Sequence, residues 1–149
     1  MGARMTNPAQ VLPGAMEAIR ELAKVAQSSG VPSETLELAH LRASQINGCS
    51  FCVGLAGRGE KVDQRLWSAV AWRDAPFYTE AERAVLALAE AMTRLADAGD
   101  AVPDELWDAV AKHYDERQLA GLVLWISITN LFNRINVTTR QPSDATLPA

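Results

Sequence analysis

The hydrophobic and polar positions of the chain repeat with the period of α-helices. Apolar residues recur three and four positions apart over most of the sequence, and no stretch alternates apolar and polar residues as a half-exposed strand would. The pattern predicts helices at about 13–26, 33–46, 49–56, 63–73, 79–96, a short stretch opening at Pro103, and 116–135. Residues 1–10 and 141–149 lack the pattern, and we expect flexible tails there. The sequence thus predicts one all-α domain over residues 1–149, a bundle of six to seven helices.

Residues that favour helix ends support several of these boundaries. Ser33 and Asp63 are good N-cap residues, and Thr79-Glu80-Ala81-Glu82 has the pattern of a capping box. Asn47-Gly48 interrupts the helical pattern directly before Cys49. This cysteine therefore stands at the predicted start of a new helix.

The final predicted helix is apolar on nearly every face. Its large hydrophobic side chains are Leu119, Leu122, Val123, Leu124, Trp125, Ile126, Ile128, Leu131, Phe132 and Ile135. A single domain of this size rarely covers the whole circumference of such a helix, and a large exposed apolar patch is unusual for a monomer. We therefore expect a homo-oligomer. The competing interpretation is a central helix that its own chain wraps completely.

Composition and charge argue against several classes of protein, but they do not indicate a reaction. The chain has a net charge of −4 and a pI of about 5.2, whereas a nucleic-acid-binding surface is basic. Its longest apolar stretch, 119–132, is too short and too polar to span a bilayer, and no basic and apolar leader opens the sequence. Two cysteines are too few for a disulfide-rich secreted scaffold. We expect a cytoplasmic protein without nucleic-acid or membrane partners.

Cys49-Ser50-Phe51-Cys52 is the sharpest chemical signal in the sequence. Thiols at positions i and i+3 of a helix lie on one face and can form a disulfide with little backbone change. A zinc site needs four ligands, and the chain has no second cysteine pair and only two histidines, His40 and His113, so we expect no metal and no cofactor. The alternative is a pair of buried cysteines that act as small hydrophobic residues. Residue type alone leaves the redox and the structural interpretation open.

Glu37 and His40 lie three positions apart on the helix that precedes the cysteines. A carboxylate beside an imidazole can hold the tautomer of the ring, and the ring can pass protons to or from a nearby thiol. The alternative is a solvated pair on an exposed face, which would contribute little. The nearby cysteines favour the catalytic interpretation.

The run from Glu37 to Cys52, Glu-Leu-Ala-His-Leu-Arg-Ala-Ser-Gln-Ile-Asn-Gly-Cys-Ser-Phe-Cys, resembles the carboxymuconolactone decarboxylase/alkylhydroperoxidase D superfamily, and specifically its small AhpD-like proteins. The likeness extends through 71–77, 82–93 and 130–140. The resemblance implies an all-α fold, a homo-oligomer (commonly a trimer or hexamer) and thiol-dependent peroxidase chemistry. A peroxide would be the substrate, and a partner dithiol would restore the reduced enzyme.

The resemblance also implies roles for individual residues. Cys52 would attack the peroxide, Cys49 would resolve the product as a disulfide, and Glu37 would take part in a proton relay. The family pattern then expects a histidine four residues after the second cysteine, where this chain has Ala56, and some members have a histidine in place of Phe51. The stretch between Cys52 and Trp67 is also shorter than the family pattern, by about one helical turn. Loss of one imidazole base costs about 10²–10⁴-fold in rate, so formation of the Cys52 thiolate would have to depend on the helix dipole, on Glu37 and on His40.

The sequence leaves three hypotheses for the function of the protein. The leading hypothesis is a thiol peroxidase or disulfide reductase that uses the cysteine pair. The second is a helical oligomer without catalysis, in which the pair is redox-sensing or structural, and Ala56 favours it. Decarboxylation of a lactone acid ranks last, because that reaction needs no paired cysteines.

Overall fold

The computed structural model describes residues 2–56, 63–96 and 98–143, and within these ranges every regular element is helical. The eight α-helices are α1 (Pro8–Val11), α2 (Ala15–Gln27), α3 (Ser33–Asn47), α4 (Ser50–Ala56), α5 (Gln64–Ser68), α6 (Glu80–Thr93), α7 (Asp104–Ala111) and α8 (Glu116–Thr139). A short 3₁₀ helix, Ala69–Ala71, follows α5 and divides the stretch that was predicted as one helix. The predicted all-α class is confirmed, with α1 as an additional helix.

The N-terminal segment lies against the end of α8. Asn7 caps α1 by accepting a hydrogen bond from the backbone N–H of Ala9. The backbone N–H of Arg4 donates to the carbonyl of Thr139 at 2.8 Å, and the Gln141 amide donates to the carbonyl of Met5 at 3.0 Å. Periodicity predicts a tail here because a single helical turn has no repeat to detect.

Helix α3 occupies the centre of the bundle, where it packs against α6, α8 and α4. A large core joins α3, α6, α7 and α8, and its buried members include Leu36, Ala39, Val85, Leu88, Val110, Leu122 and Ile126. A smaller core lies between α3, α6 and the segment after α5, and it contains Leu38, Leu41, Ala69, Trp72, Tyr78 and Leu86. Helix α3 therefore contributes residues to both cores.

A buried carboxylate connects three parts of the bundle. Glu90 on α6 accepts hydrogen bonds from Arg42 at 2.8 Å, Trp72 at 2.9 Å and Arg73 at 2.7 Å. Burial raises the pKa of Glu90, but these hydrogen bonds outweigh it and lower the pKa to about 2. The ionised carboxylate therefore fastens α6 to α3 and to the segment after α5.

The last helix is only partly covered by its own chain. Leu122 and Ile126 point into the core, whereas Leu124 and Leu131 are exposed along the opposite side, and Val137 is exposed near the C-terminal end of the helix. The described part of the chain therefore does not wrap α8 on every face, and self-association stays a prediction. Within the described ranges, no helix combines the length and apolar character that a membrane crossing requires.

Candidate active site

A glycine turn brings the two cysteines to the end of α3. Gly48 ends α3 in the left-handed conformation, with φ of +66°, which a residue with a side chain adopts only with strain. The turn is closed by hydrogen bonds from the Gly48 N–H to Gln45 and from the Cys49 N–H to Ser44. The asparagine–glycine break in the sequence therefore sets the position of Cys49.

Cys49 and Cys52 form a disulfide at the start of α4, with 5.4 Å between their Cα atoms. Both are buried at 1% exposure. The Cys49 sulfur also accepts the backbone N–H of Cys52 at 3.3 Å, as an N-cap side chain would. The predicted spacing on one helical face therefore gives a pair of sulfurs within bonding reach.

His40 lies next to this pair, on the preceding helix. Its Nδ1 is 3.3 Å from the Thr129 hydroxyl oxygen, and that hydroxyl donates to the Trp125 carbonyl at 2.9 Å. Because the only hydroxyl proton of Thr129 is used in this way, Nδ1 of His40 is the donor in their contact. Burial lowers the pKa of His40, and a hydrogen-bonding contact with the Cys52 backbone acts in the opposite direction. Burial therefore favours the neutral form of the ring.

Glu37 is exposed one turn before His40, and no hydrogen bond joins the two side chains. Both line a cavity of about 440 Å³, together with Gln27, Val31, Ser33, Leu36, Leu55 and Trp125. Thr129 rather than Glu37 orients the imidazole. The structure thus brings three of the four predicted site residues together and places Glu37 at the cavity beside them.

Three asparagines form a polar seam along one face of α8, at Asn130, Asn133 and Asn136. The Asn47 amide donates to the side-chain oxygens of Asn130 and Asn133, both at 2.9 Å. Asn133 in turn donates to the Ser44 hydroxyl at 3.0 Å. These buried amides satisfy one another across the contact between α8 and α3, and so fix the register of the two helices.

The last member of the seam reaches the sulfurs. The Nδ2 of Asn136 is 3.4 Å from the Cys52 sulfur and 3.8 Å from the Cys49 sulfur. Asn136 was not among the predicted site residues. The available signal was an asparagine every third position in an otherwise apolar helix, because a buried amide requires a partner.

A second cavity, of about 280 Å³, opens on the side of the disulfide near the C-terminal end of α8. Its lining includes Cys49 but not Cys52, and its other members are Gly48, Ser50, Asn136, Val137, Arg140, Gln141 and Pro142. Cys49 is therefore the cysteine of the pair that lines this cavity.

Ala56 ends α4, and its methyl group packs against the smaller core. The position at which the resemblance expects a histidine is thus part of the packing. The stretch between Cys52 and Trp67, which is short by comparison with the resemblance, includes residues 57–62, which lie outside the described residues. In the parts of the chain that the structure describes, no three His, Cys, Asp or Glu side chains cluster as a metal site would require.

The sequence of the chain matches a known family. The model of the carboxymuconolactone decarboxylase family matches residues 13–91, which is more than half of the chain. The chain belongs to the carboxymuconolactone decarboxylase family.

The chain is also similar to a curated relative and to solved structures. YdfG of Bacillus subtilis, an uncharacterised protein, is 36% identical over 132 residues, which cover 86% of this chain and 88% of YdfG. The solved structure of ATU0492 from Agrobacterium tumefaciens, a protein of unknown function considered a candidate AhpD antioxidant defence protein, has a TM-score of 0.85. It is 33% identical, and the match covers 96% of this chain and 99% of that one.

The fold is also similar to that of an enzyme with a different stated reaction. The debrominase Bmp8 is 26% identical with a TM-score of 0.75, over 89% of this chain and 73% of Bmp8. A cysteine-to-alanine variant of Bmp8 has been solved with 2,3,4-tribromopyrrole.

Proposed function

We propose that the protein is a two-cysteine thiol peroxidase. The observation that supports this most is the Cys49–Cys52 disulfide, with the imidazole of His40 in contact with the Cys52 backbone. A pair that closes within one helical turn can cycle between dithiol and disulfide without a large movement of the backbone.

In the proposed reaction, the Cys52 thiolate attacks one oxygen of the peroxide and the O–O bond breaks. An alcohol or water leaves after taking a proton, and Cys52 becomes a sulfenic acid. The Cys49 thiol then attacks the Cys52 sulfur, which forms the disulfide and releases water. A partner dithiol supplies two electrons through a mixed disulfide, and it is oxidised as the pair returns to thiols.

The surroundings of the pair support a division of roles. We propose that His40 accepts the thiol proton and returns it to the leaving oxygen, with Glu37 at the mouth of its cavity. Cys49 borders the other cavity, so the reductant would meet Cys49 first and release Cys52 as the leaving thiolate. The cytoplasm is the compartment proposed for this cycle, because its dithiols reduce disulfides.

A second candidate is a redox-sensing oligomer with little peroxidase activity. The observation that favours it is Ala56, whose methyl group occupies the position of the family histidine. Such a protein would form the disulfide on oxidation but would not turn over rapidly with a dithiol.

Mass spectrometry after mild peroxide treatment tests the proposal, with Cys49→Ser and Cys52→Ser as matched variants. We expect the wild type to lose the mass of two hydrogens and Cys49→Ser to trap a sulfenic acid at Cys52. Cys52→Ser should form neither product. A sulfenic acid at Cys49 instead would reverse the assigned roles.

Turnover with a dithiol then separates the two candidate functions. Sustained consumption of peroxide, lost in both serine variants, is expected of the peroxidase. If the disulfide forms once and peroxide is not consumed further, the protein is the redox-sensing oligomer and the peroxidase is excluded.

A further inference from the structure

A chain of hydrogen bonds fixes the orientation of the amide that faces the sulfurs. The backbone N–H of Ala9 donates to the Asn7 side-chain oxygen at 2.9 Å, so the Asn7 NH₂ group must point the other way. That group donates to the side-chain oxygen of Asn136 at 3.1 Å. The Asn136 NH₂ group is consequently directed at the cysteines, and it lies closer to Cys52 than to Cys49.

This amide interacts most strongly with one particular state of the site. A disulfide sulfur or a thiol is a weak acceptor, whereas hydrogen bonds to an ionised acceptor are about twice as strong as neutral ones. Asn136 is 4% exposed and Cys52 is 1% exposed, so little water competes for either group. The N–H of Asn136 therefore gains most when Cys52 is reduced and ionised.

We propose that Asn136 is a catalytic residue that stabilises the Cys52 thiolate, and that Asn7 is the positioning residue that directs its amide. The assignment to catalysis rests on the proposed peroxidase function, but the stabilisation of the thiolate does not. The Asn136 amide supplies a neutral hydrogen-bond donor to the Cys52 sulfur. This chain has Ala56 where the family pattern has a histidine, so the imidazole of that histidine is missing.

A single-thiol background makes the effect measurable at Cys52. In Cys49→Ser, the serine keeps an N-cap oxygen at the start of α4 and leaves Cys52 as the only thiol of the chain. The ultraviolet absorbance of the thiolate, followed against pH, gives its acid dissociation constant. We expect Asn136→Leu to lower this constant about tenfold, which corresponds to about 1.4 kcal/mol.

Asn130→Leu is the matched control for the loss of a buried amide. Asn130 lies on the same helix and is nearly as buried, but its NH₂ group donates to Thr93 and to the Ile126 carbonyl. We expect Asn130→Leu to lower the free energy of unfolding without changing the titration of the Cys52 thiolate. An equal change in both variants would overturn the proposal, because it would show a general effect of the seam.

Asn7→Ser tests the positioning step without touching the core. Serine is a comparable N-cap for α1, but it lacks the amide that donates to Asn136. In the Cys49→Ser background, we expect Asn7→Ser to lower the acid dissociation constant of Cys52 by less than Asn136→Leu does. In the Cys52→Ser background, where Cys49 is the only thiol, we expect Asn7→Ser to lower the constant of Cys49 by less again. If Asn136→Leu does not fold, Asn7→Ser decides the outcome. An unchanged titration in a folded variant refutes the proposal.

These titrations require no peroxide, so they fail independently of the proposed function. A wild type that never turns over peroxide, but whose thiolate titration shifts in Asn136→Leu, would refute the peroxidase and retain the thiolate-stabilising amide. Turnover of peroxide with no shift of the thiolate titration in Asn136→Leu would refute the thiolate-stabilising amide and retain the peroxidase.

Discussion

Replacing Glu90 by glutamine should remove much of the acid sensitivity of the fold. Glu90 is 4% exposed, and three donors hold its carboxylate, from Arg42, Trp72 and Arg73. Burial opposes its ionisation, but the hydrogen bonds from these donors outweigh it and lower its pKa from 4.5 to about 2. The unfolded chain therefore binds a proton at this carboxyl group more readily than the folded protein does.

The magnitude follows from this difference in pKa. At 1.36 kcal/mol for each factor of ten in affinity for the proton, the ionised carboxylate contributes about 3 kcal/mol to stability. The contribution is fully present above the unfolded pKa of 4.5 and is lost as the pH falls towards 2, with roughly two thirds gone by pH 3. Glutamine cannot titrate, so the variant loses this pH dependence. It also leaves the buried Arg42 without its counter-charge, at a cost of about 3 to 5 kcal/mol at neutral pH.

Urea unfolding of the wild type and Glu90→Gln at pH 7 and pH 3 measures both effects. We expect the two proteins to differ by several kcal/mol at pH 7 and by about 2 kcal/mol less at pH 3. Glu105→Gln, at an exposed carboxylate on α7, is the matched control and should follow the wild type. If Glu90→Gln loses as much stability on acidification as the wild type, the carboxylate is not the acid-sensitive group.

Three further results are expected. Ala56→His should raise peroxide turnover by about 10²–10⁴-fold, measured beside Cys52→Ser as the inactive control, and an unchanged rate would argue against a missing proton relay. Gly48→Ala should lower the free energy of unfolding by about 1–2 kcal/mol in urea titrations, because its backbone is left-handed; no loss would show that the turn adapts. Light scattering at micromolar concentration should give a mass of several chains for the wild type, and glutamate at Leu124 and Leu131 should shift it towards 16.1 kDa. A wild-type mass of one chain would refute self-association.

Local signals in the sequence predicted the parts of the structure that depend on neighbours along the chain. The capping box at Thr79 is present, since its side chain accepts the N–H of Glu82 while Glu82 bonds back to the cap. The pairing of Cys49 and Cys52 also follows from spacing within one turn. Both involve residues three positions apart, where helix geometry determines the distance.

Contacts between distant positions could not be predicted in this way. Asn7 and Asn136 are 129 positions apart, and Asn136 and Cys52 are 84 positions apart. Their meeting depends on how α8 crosses α3 and on where the N-terminal segment packs. No periodicity within one helix contains that information, so the polar seam and the Glu90 cluster came only from the structure.

The asparagine amides beside the disulfide can stabilise a negative charge on sulfur, but they cannot transfer a proton. An amide neither gains nor loses a proton near neutrality, so the chain from Asn7 through Asn136 can hold a negative sulfur but cannot deliver hydrogen ions. In the proposed peroxidase, every proton that leaves a thiol or reaches a departing oxygen would therefore pass through His40, Glu37 or solvent. The amide donor itself does not change across the physiological pH range, so we expect the pH profile of the proposed reaction to follow the titration of the thiols and of the groups that carry their protons.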